Sequence, residues 1–128
     1  MVRYLLDTQI LIWLQSASVK LPKSTLDLIL TEPKVYMSKA SIWEIAIKVK
    51  TGKLNLNLPL NDFIVGFIKD YNCEILDITL EHIYHTLLLP LHHRDPFDRL
   101  IIAQAAIEQI SIISSDQIFD EYGVNRIF

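Results

Sequence analysis

Four acidic residues stand where a chain of alternating strands and helices can gather them: Asp7, Glu44, Asp98 and Asp116. Asp7 follows the apolar run VRYLL and Asp116 follows ISIIS, so both are expected at one edge of a sheet. Glu44 falls in the second turn of a helix expected after Ser38, and Asp98 in the first turn of one that opens at Asp95. Carboxylates sharing one pocket repel one another unless cations enter. Hard, oxygen-seeking Mg²⁺ or Mn²⁺ suit such a set, because no cysteine cluster or paired histidines compete for the role.

Each of these positions also has an ordinary use. Asp95-Pro96-Phe97-Asp98 is a good helix start, with Asp95 as N-cap, Pro96 at the first helical position and Asp98 at the third. Capping alone accounts for both aspartates, yet a helix N-terminus also lowers the cost of ionising Asp98, in keeping with a cation ligand. Glu44 has Lys48 four residues on, in the favourable order for a helix-surface pair. Asp7 and Asp116 can each cap the helical turn that follows. Asp77 reads as a loop carboxylate. His92 and His93 are adjacent, which is poor geometry for chelating one ion. His82 and His85, three apart on a helix, lack a third partner nearby. All four histidines are expected to be solvated or internally satisfied. Trp13 and Trp43 sit at helical spacing among apolar residues and read as core or interface.

The elements that must position these groups alternate in type. Strands are expected at VRYLL (2–6), KVYMS (34–38), CEILDI (73–78) and ISIIS (110–114), with a fifth at NRIF. Between them, helices are expected from the Asp7-Thr8 cap through QILIWLQ, over 22–31, from Ser38 to Lys50, and over 60–71. Two more run from Thr79 to Leu89, stopped by Pro90, and from Asp95 to about Gln109. LNLNLP (54–59) reads as an extended connector or a small edge strand, and DQIFDEY as a short helical turn broken by Gly123. This alternation predicts a parallel sheet covered on both faces. Ligands in such folds bind outside the carboxyl ends of the strands.

The 128 residues suit one domain, 1–128, with one sizeable core. A hydrophobic content of 51% argues against disorder. The net charge of −3 gives no reason to expect nucleic-acid binding without a local basic rim or a bridging cation. Cys73 alone excludes a disulfide framework and is expected to be a buried, inert thiol. No apolar run reaches the ~18 residues of a membrane span, and MVRYLLDTQ meets an aspartate too early for a signal peptide. A reduced, cytoplasmic setting is the expectation.

Four stretches, LLDTQILIW (5–13), SKASIWEIAIKVKTGKL (38–54), HHRDPFDRLIIAQA (92–105) and ISSDQIFDEYGV (113–124), together resemble PIN-domain proteins. The likeness is greatest to the toxin ribonucleases of VapBC-type (type II) toxin–antitoxin systems. Each motif alone is weak; their order along almost the whole chain is specific. The resemblance implies an α/β/α sandwich around a parallel sheet of four to five strands. It implies a Mg²⁺- or Mn²⁺-dependent endoribonuclease whose catalytic and metal-holding residues fall on Asp7, Glu44, Asp98 and Asp116. Thr8 and Ser115 match small hydroxyl neighbours that orient a water, and Asp95 and Arg99 belong to the RDPFDR form of the motif. Lys39, Lys48, Lys50, Lys53, Arg94 and Arg99 would form a basic rim for RNA phosphates. A cognate antitoxin and a second copy of the chain are the implied protein partners, with Trp13, Phe63 and Phe67 offering surfaces.

Three rivals fit less well. A receiver-type signalling domain, with Asp77 as phosphate acceptor, wants an acidic pair after strand one and a lysine after the last core strand; Asp7-Thr8 and Ser114-Ser115-Asp116 stand there instead. A haloacid-dehalogenase-like phosphatase wants a second aspartate where Gln9 stands. A PIN-fold module that binds without cutting is the remaining alternative.

Overall fold

A computed structural model of the chain describes residues 3–32 and 34–128. Five parallel strands, β1 (Tyr4–Leu6), β2 (Val35–Ser38), β3 (Cys73–Leu76), β4 (Ser111–Ile113) and β5 (Arg126–Ile127), form one sheet in the order β3-β2-β1-β4-β5. Two helices, α1 (Thr8–Gln15) and α2 (Lys23–Thr31), lead from β1 to β2, and α3 (Lys39–Lys50) and α4 (Leu60–Tyr71) lead on to β3. The chain then returns through α5 (Leu80–Thr86) and α6 (Pro96–Glu108) to lay β4 on the other side of β1. The strand order therefore reverses between β1 and β4, which opens a crevice at their carboxyl ends.

Side chains of a strand alternate between faces, and this splits the core in two. Tyr4 and Leu6 of β1 join Ile10, Leu11, Phe63 and Phe67 in one buried cluster, whereas Leu5 joins Ile101, Ile102, Ile112 and Phe119 in the other. The sheet is thus the middle layer of an α/β/α sandwich, as expected. Phe63 and Phe67 belong to this interior, with 3% and 4% of their surfaces exposed, so they offer no contact surface. Trp13 is partly buried against the first cluster, while Trp43 is 62% exposed and meets Phe97 edge to face at 5.3 Å. Cys73 is buried, and burial pushes its thiol up to about 12, which makes it inert.

Several boundaries differ from the sequence expectation. Val2 of VRYLL lies outside the described residues. Residues 54–59 join no ladder: Leu56 is buried as an anchor, and Asn57 turns the chain with a φ of 62°. Strand β3 stops at Leu76 rather than running to Ile78. Helix α5 stops at Thr86 rather than Leu89, because residues 87–89 tighten into three-residue turns, Leu87 N–H bonding the Tyr84 carbonyl and Leu88 N–H that of His85. Its start is better built than expected. Thr79 Oγ1 accepts from His82 N–H, and His82 Nδ1 accepts from Thr79 N–H, a reciprocal cap with histidine in the place usual for glutamate. His82 is fully buried, and its Nε2 lies 2.9 Å from Glu108 Oε2.

Candidate metal-binding site

Asp7, Glu44, Asp98 and Asp116 line one cleft of about 290 Å³ at the carboxyl edge of the sheet, together with Thr8, Asp95, Ser115 and Lys48. The register explains the meeting. Leu6 pairs with Ile113, so the residues that follow, Asp7 and Ser114, leave the sheet side by side, and Asp7 N–H bonds the Ile113 carbonyl at 3.0 Å. A larger cavity of about 460 Å³, lined by Ile83, Leu91 and Leu100, contains no carboxylate.

Asp7 is the N-cap of α1 and is buried. Its Oδ1 accepts from Thr8 N–H and its Oδ2 from the Ser114 hydroxyl, both at 2.8 Å. Burial pushes its carboxyl up to about 6 against those two hydrogen bonds, with the charges of Glu44 and Asp116 adding to the rise. Asp98, in the first turn of α6, is driven to about 8, first by burial and then by the charges of Asp7, Asp95, Glu44 and Asp116. Asp95 itself caps α6, accepting from Phe97 and Asp98 N–H. Asp116 caps the 3-10 turn Gln117–Tyr122 through Oδ1 and Ile118 N–H.

Glu44 Oε2 meets Lys48 Nζ at 3.2 Å, so the helix pair is real. Its Oε1 is buried with no hydrogen-bond partner among the described residues. An unpaired buried carboxylate oxygen is costly. That orphan, the burial and mutual repulsion that lift Asp7 and Asp98, and an almost wholly oxygen donor set all fit a hard divalent cation. His93 Nε2 and oxygens of Asp98 and Asp116 also lie within 4.8 Å of one another.

Two hydroxyls brace the frame. Thr8 Oγ1 donates to Ser41 Oγ at 2.8 Å, tying α1 to the helix that carries Glu44. Ser114 donates to Asp7 and accepts from Asp116 N–H at 3.0 Å, linking those two segments. Sequence reasoning named Ser115, which lines the cleft, and missed Ser114, which touches Asp7. Strand register was the signal that could have found it. His93 was missed as well: its Nε2 lies 2.8 Å from Asp98 Oδ2 and 3.0 Å from Asp116 Oδ2.

The expected basic rim is thinner than the sequence suggested. Arg99 does not face phosphates. Its guanidinium donates to the carbonyls of Thr86, Leu89, Pro90 and His93, the chain ends and turns that no helix satisfies. Lys39 is engaged by Asp77. Lys50, Lys53 and Arg94 are exposed but do not line the cleft; Lys48 does. Among the described residues, no helix is long and apolar enough to cross a membrane.

No curated protein matches the sequence of this chain. A chain of VapBC2 from Rickettsia felis, bound to a DNA fragment from the promoter, has a TM-score of 0.73 at 18% identity, with 98% of each chain covered. A chain of DNA-bound VapBC from Salmonella typhimurium gives 0.71 at 18% identity, covering 99% of this chain and 98% of that one. A toxin–antitoxin complex from Klebsiella pneumoniae gives 0.59 at 17% identity, covering 88% and 86%. Identities this low speak for the fold. The family model described as PIN domain matches residues 4–125, a span that holds all four cleft carboxylates, and the chain belongs to the PIN-domain family.

Proposed function

We propose that this protein is a divalent-metal-dependent endoribonuclease and the toxin of a toxin–antitoxin pair. The observation that carries the nuclease reading is the cluster of buried and half-buried carboxylates with its unpaired Glu44 oxygen. Membership of the PIN family supports it, since PIN domains are generally nucleases. The toxin reading is supported by the structural likeness to VapBC and toxin–antitoxin complexes.

Asp7, Glu44, Asp98 and Asp116 would hold the ion, Mg²⁺ or Mn²⁺. A bound divalent ion supplies an acidified attacking water and charge neutralisation at the scissile phosphate. The chain's own residues do the rest. Thr8 N–H and Ser114 keep both oxygens of Asp7 aimed by short hydrogen bonds. Asp98, whose carboxyl is pushed up to about 8, would have to release its proton to serve as a ligand. Lys48, at the cleft wall, places a positive charge where an incoming phosphate passes. With so little positive charge besides, RNA recognition would rest on unpaired, looped segments rather than on a duplex. Thr8, Ser115, Asp95 and Arg99 would support the frame rather than react. A cognate antitoxin, a homodimeric state and a cytoplasmic location complete the proposal.

The test is cleavage of total cellular RNA by purified protein with Mg²⁺, with Mn²⁺ and with EDTA, beside Asp7→Asn. Discrete cuts that need the ion and vanish in the variant are expected. No cutting by folded, antitoxin-free protein with either ion would favour a PIN module that binds without cleaving.

A further inference from the structure

We infer that His93 is a positioning residue of the acidic site, a ring that hydrogen-bonds Asp116, sits in ion-pair contact with Asp98 and so holds the two at a fixed spacing. The inference rests on the metal-site reading above. The ring sits between two carboxylates from separate segments, with Nε2 at 2.8 Å from Asp98 Oδ2 and 3.0 Å from Asp116 Oδ2. Its other nitrogen decides what it can do there. Asp95 N–H donates to Nδ1 at 3.3 Å, so the ring proton belongs to Nε2, which donates to Asp116. A histidine ligand needs the reverse: a bare nitrogen toward the ion and N–H toward an outer acceptor. His93 is therefore arranged to aim ligands rather than to be one.

The loop that brings it there is clamped. His93 N–H donates to the Tyr122 hydroxyl at 2.6 Å, and that hydroxyl donates to the Pro90 carbonyl at 2.8 Å. Arg99 donates to the His93 carbonyl at 3.1 Å and to the Pro90 carbonyl at 2.7 Å. The ring also lies 5.9 Å from that of Phe119, which is fully buried. A solvated surface histidine needs none of this. The ring stands between the Asp98 and Asp116 side chains and sets their spacing in the ion-free protein. A fixed ring between them leaves less to reorganise when the ion arrives.

Calorimetric titration of the whole protein with MgCl₂ and with MnCl₂ tests this without recourse to activity. His93→Ala should weaken both ions alike, by about 10- to 100-fold, the usual loss when an outer-shell partner goes. His93→Gln, whose amide nitrogen reaches about as far as Nε2, should recover most of that affinity. Tyr122→Phe, which touches neither carboxylate, should weaken both ions in the same sense by a smaller factor, and it carries the test if His93→Ala fails to fold. Unchanged affinity in folded His93→Ala and Tyr122→Phe overturns the inference, as does tighter binding, which would make the ring an occupant of the ion's place. A loss confined to Mn²⁺ and not rescued by glutamine overturns it in favour of a nitrogen ligand, since imidazole suits Mn²⁺ better than Mg²⁺. If the wild-type protein binds neither ion, the metal-site reading itself falls and this inference with it.

Discussion

Replacing Asp98 by asparagine should make the ion-free protein more stable, and increasingly so as pH rises. Asp98 moves from an ordinary 3.8 to about 8 on folding. The unfolded chain releases that proton near 3.8, whereas the folded chain keeps it until about 8. Between these values the folded state binds more protons, so rising pH removes stability throughout the window, and the loss is complete above it. Asp7 acts in the same direction between 3.8 and about 6. Four units at about 1.4 kcal/mol each set a ceiling of about 6 kcal/mol for Asp98. The Asp98 side chain keeps 17% of its surface in solvent, which brings the expected effect well below that ceiling. We therefore expect about 2 kcal/mol at pH 8, equivalent to about 6–10 °C in melting temperature for a domain of this size. Thermal denaturation followed by circular dichroism in EDTA, at pH 4.5, 6.5 and 8, gives the comparison. The variant's advantage should be small at pH 4.5 and full at pH 8. Saturating Mg²⁺ should restore the wild type at pH 8 and do much less for the variant. Parallel pH profiles for the two proteins would refute the reasoning.

Two further substitutions separate the site from its supports. Glu44→Gln keeps the size of the side chain but removes its charge, so Mg²⁺ affinity measured by calorimetry should fall at least about tenfold while the ion-free melting temperature holds or rises; lost stability with unchanged affinity would mean that the Lys48 pair is the main role of Glu44. Arg99→Lys cannot reach four carbonyls from one ammonium group, and it should cost about 2–3 kcal/mol in urea denaturation; an unchanged midpoint would dissolve the clamp assigned to Arg99.

Much of this arrangement can be read from the sequence, because the relevant signals are local. The cap at Asp95-Pro96, the cap at Ser38 and the strand ends at Asp7 and Asp116 each depend on a few adjacent residues. What escaped depends on distant ones. Whether Ser114 or Ser115 meets Asp7 is set by the pairing of Leu6 with Ile113, and a shift of one residue would exchange them. His93 looks idle in sequence because neither of its carboxylate partners is adjacent to it; only the turn after α5 brings it to them. Arg99 reads as a phosphate ligand by its type. Its true partners are carbonyls left over where α5 unwinds early, and no periodicity foretells where a helix unwinds. The alternation in LNLNLP left a connector and a small edge strand both open, and the connector is what forms: a strand needs a neighbour, and none of the described strands pairs with it.

Whether these aspartates cap helices or hold a cation is a false choice in this fold. Asp7, Asp95 and Asp116 each take backbone N–H donors at the start of a helical segment, and Asp98 stands in the first turn of α6. Helix starts carry positive partial charge, so the geometry that satisfies each cap also lowers the cost of crowding carboxylates into one cleft. Glu44 is the exception. It stands in the second turn of α3, beyond the helix's free amides, with Lys48 on one oxygen and nothing on the other. The backbone and neighbouring side chains thus give Asp7, Asp98 and Asp116 partners of their own, whereas Glu44 Oε1 has no hydrogen-bond partner among the described residues. A cation entering this cleft would ease the crowding that helps raise Asp7 and Asp98 and would give Glu44 Oε1 the partner it lacks, so the proposed ion would answer two separate costs of this fold.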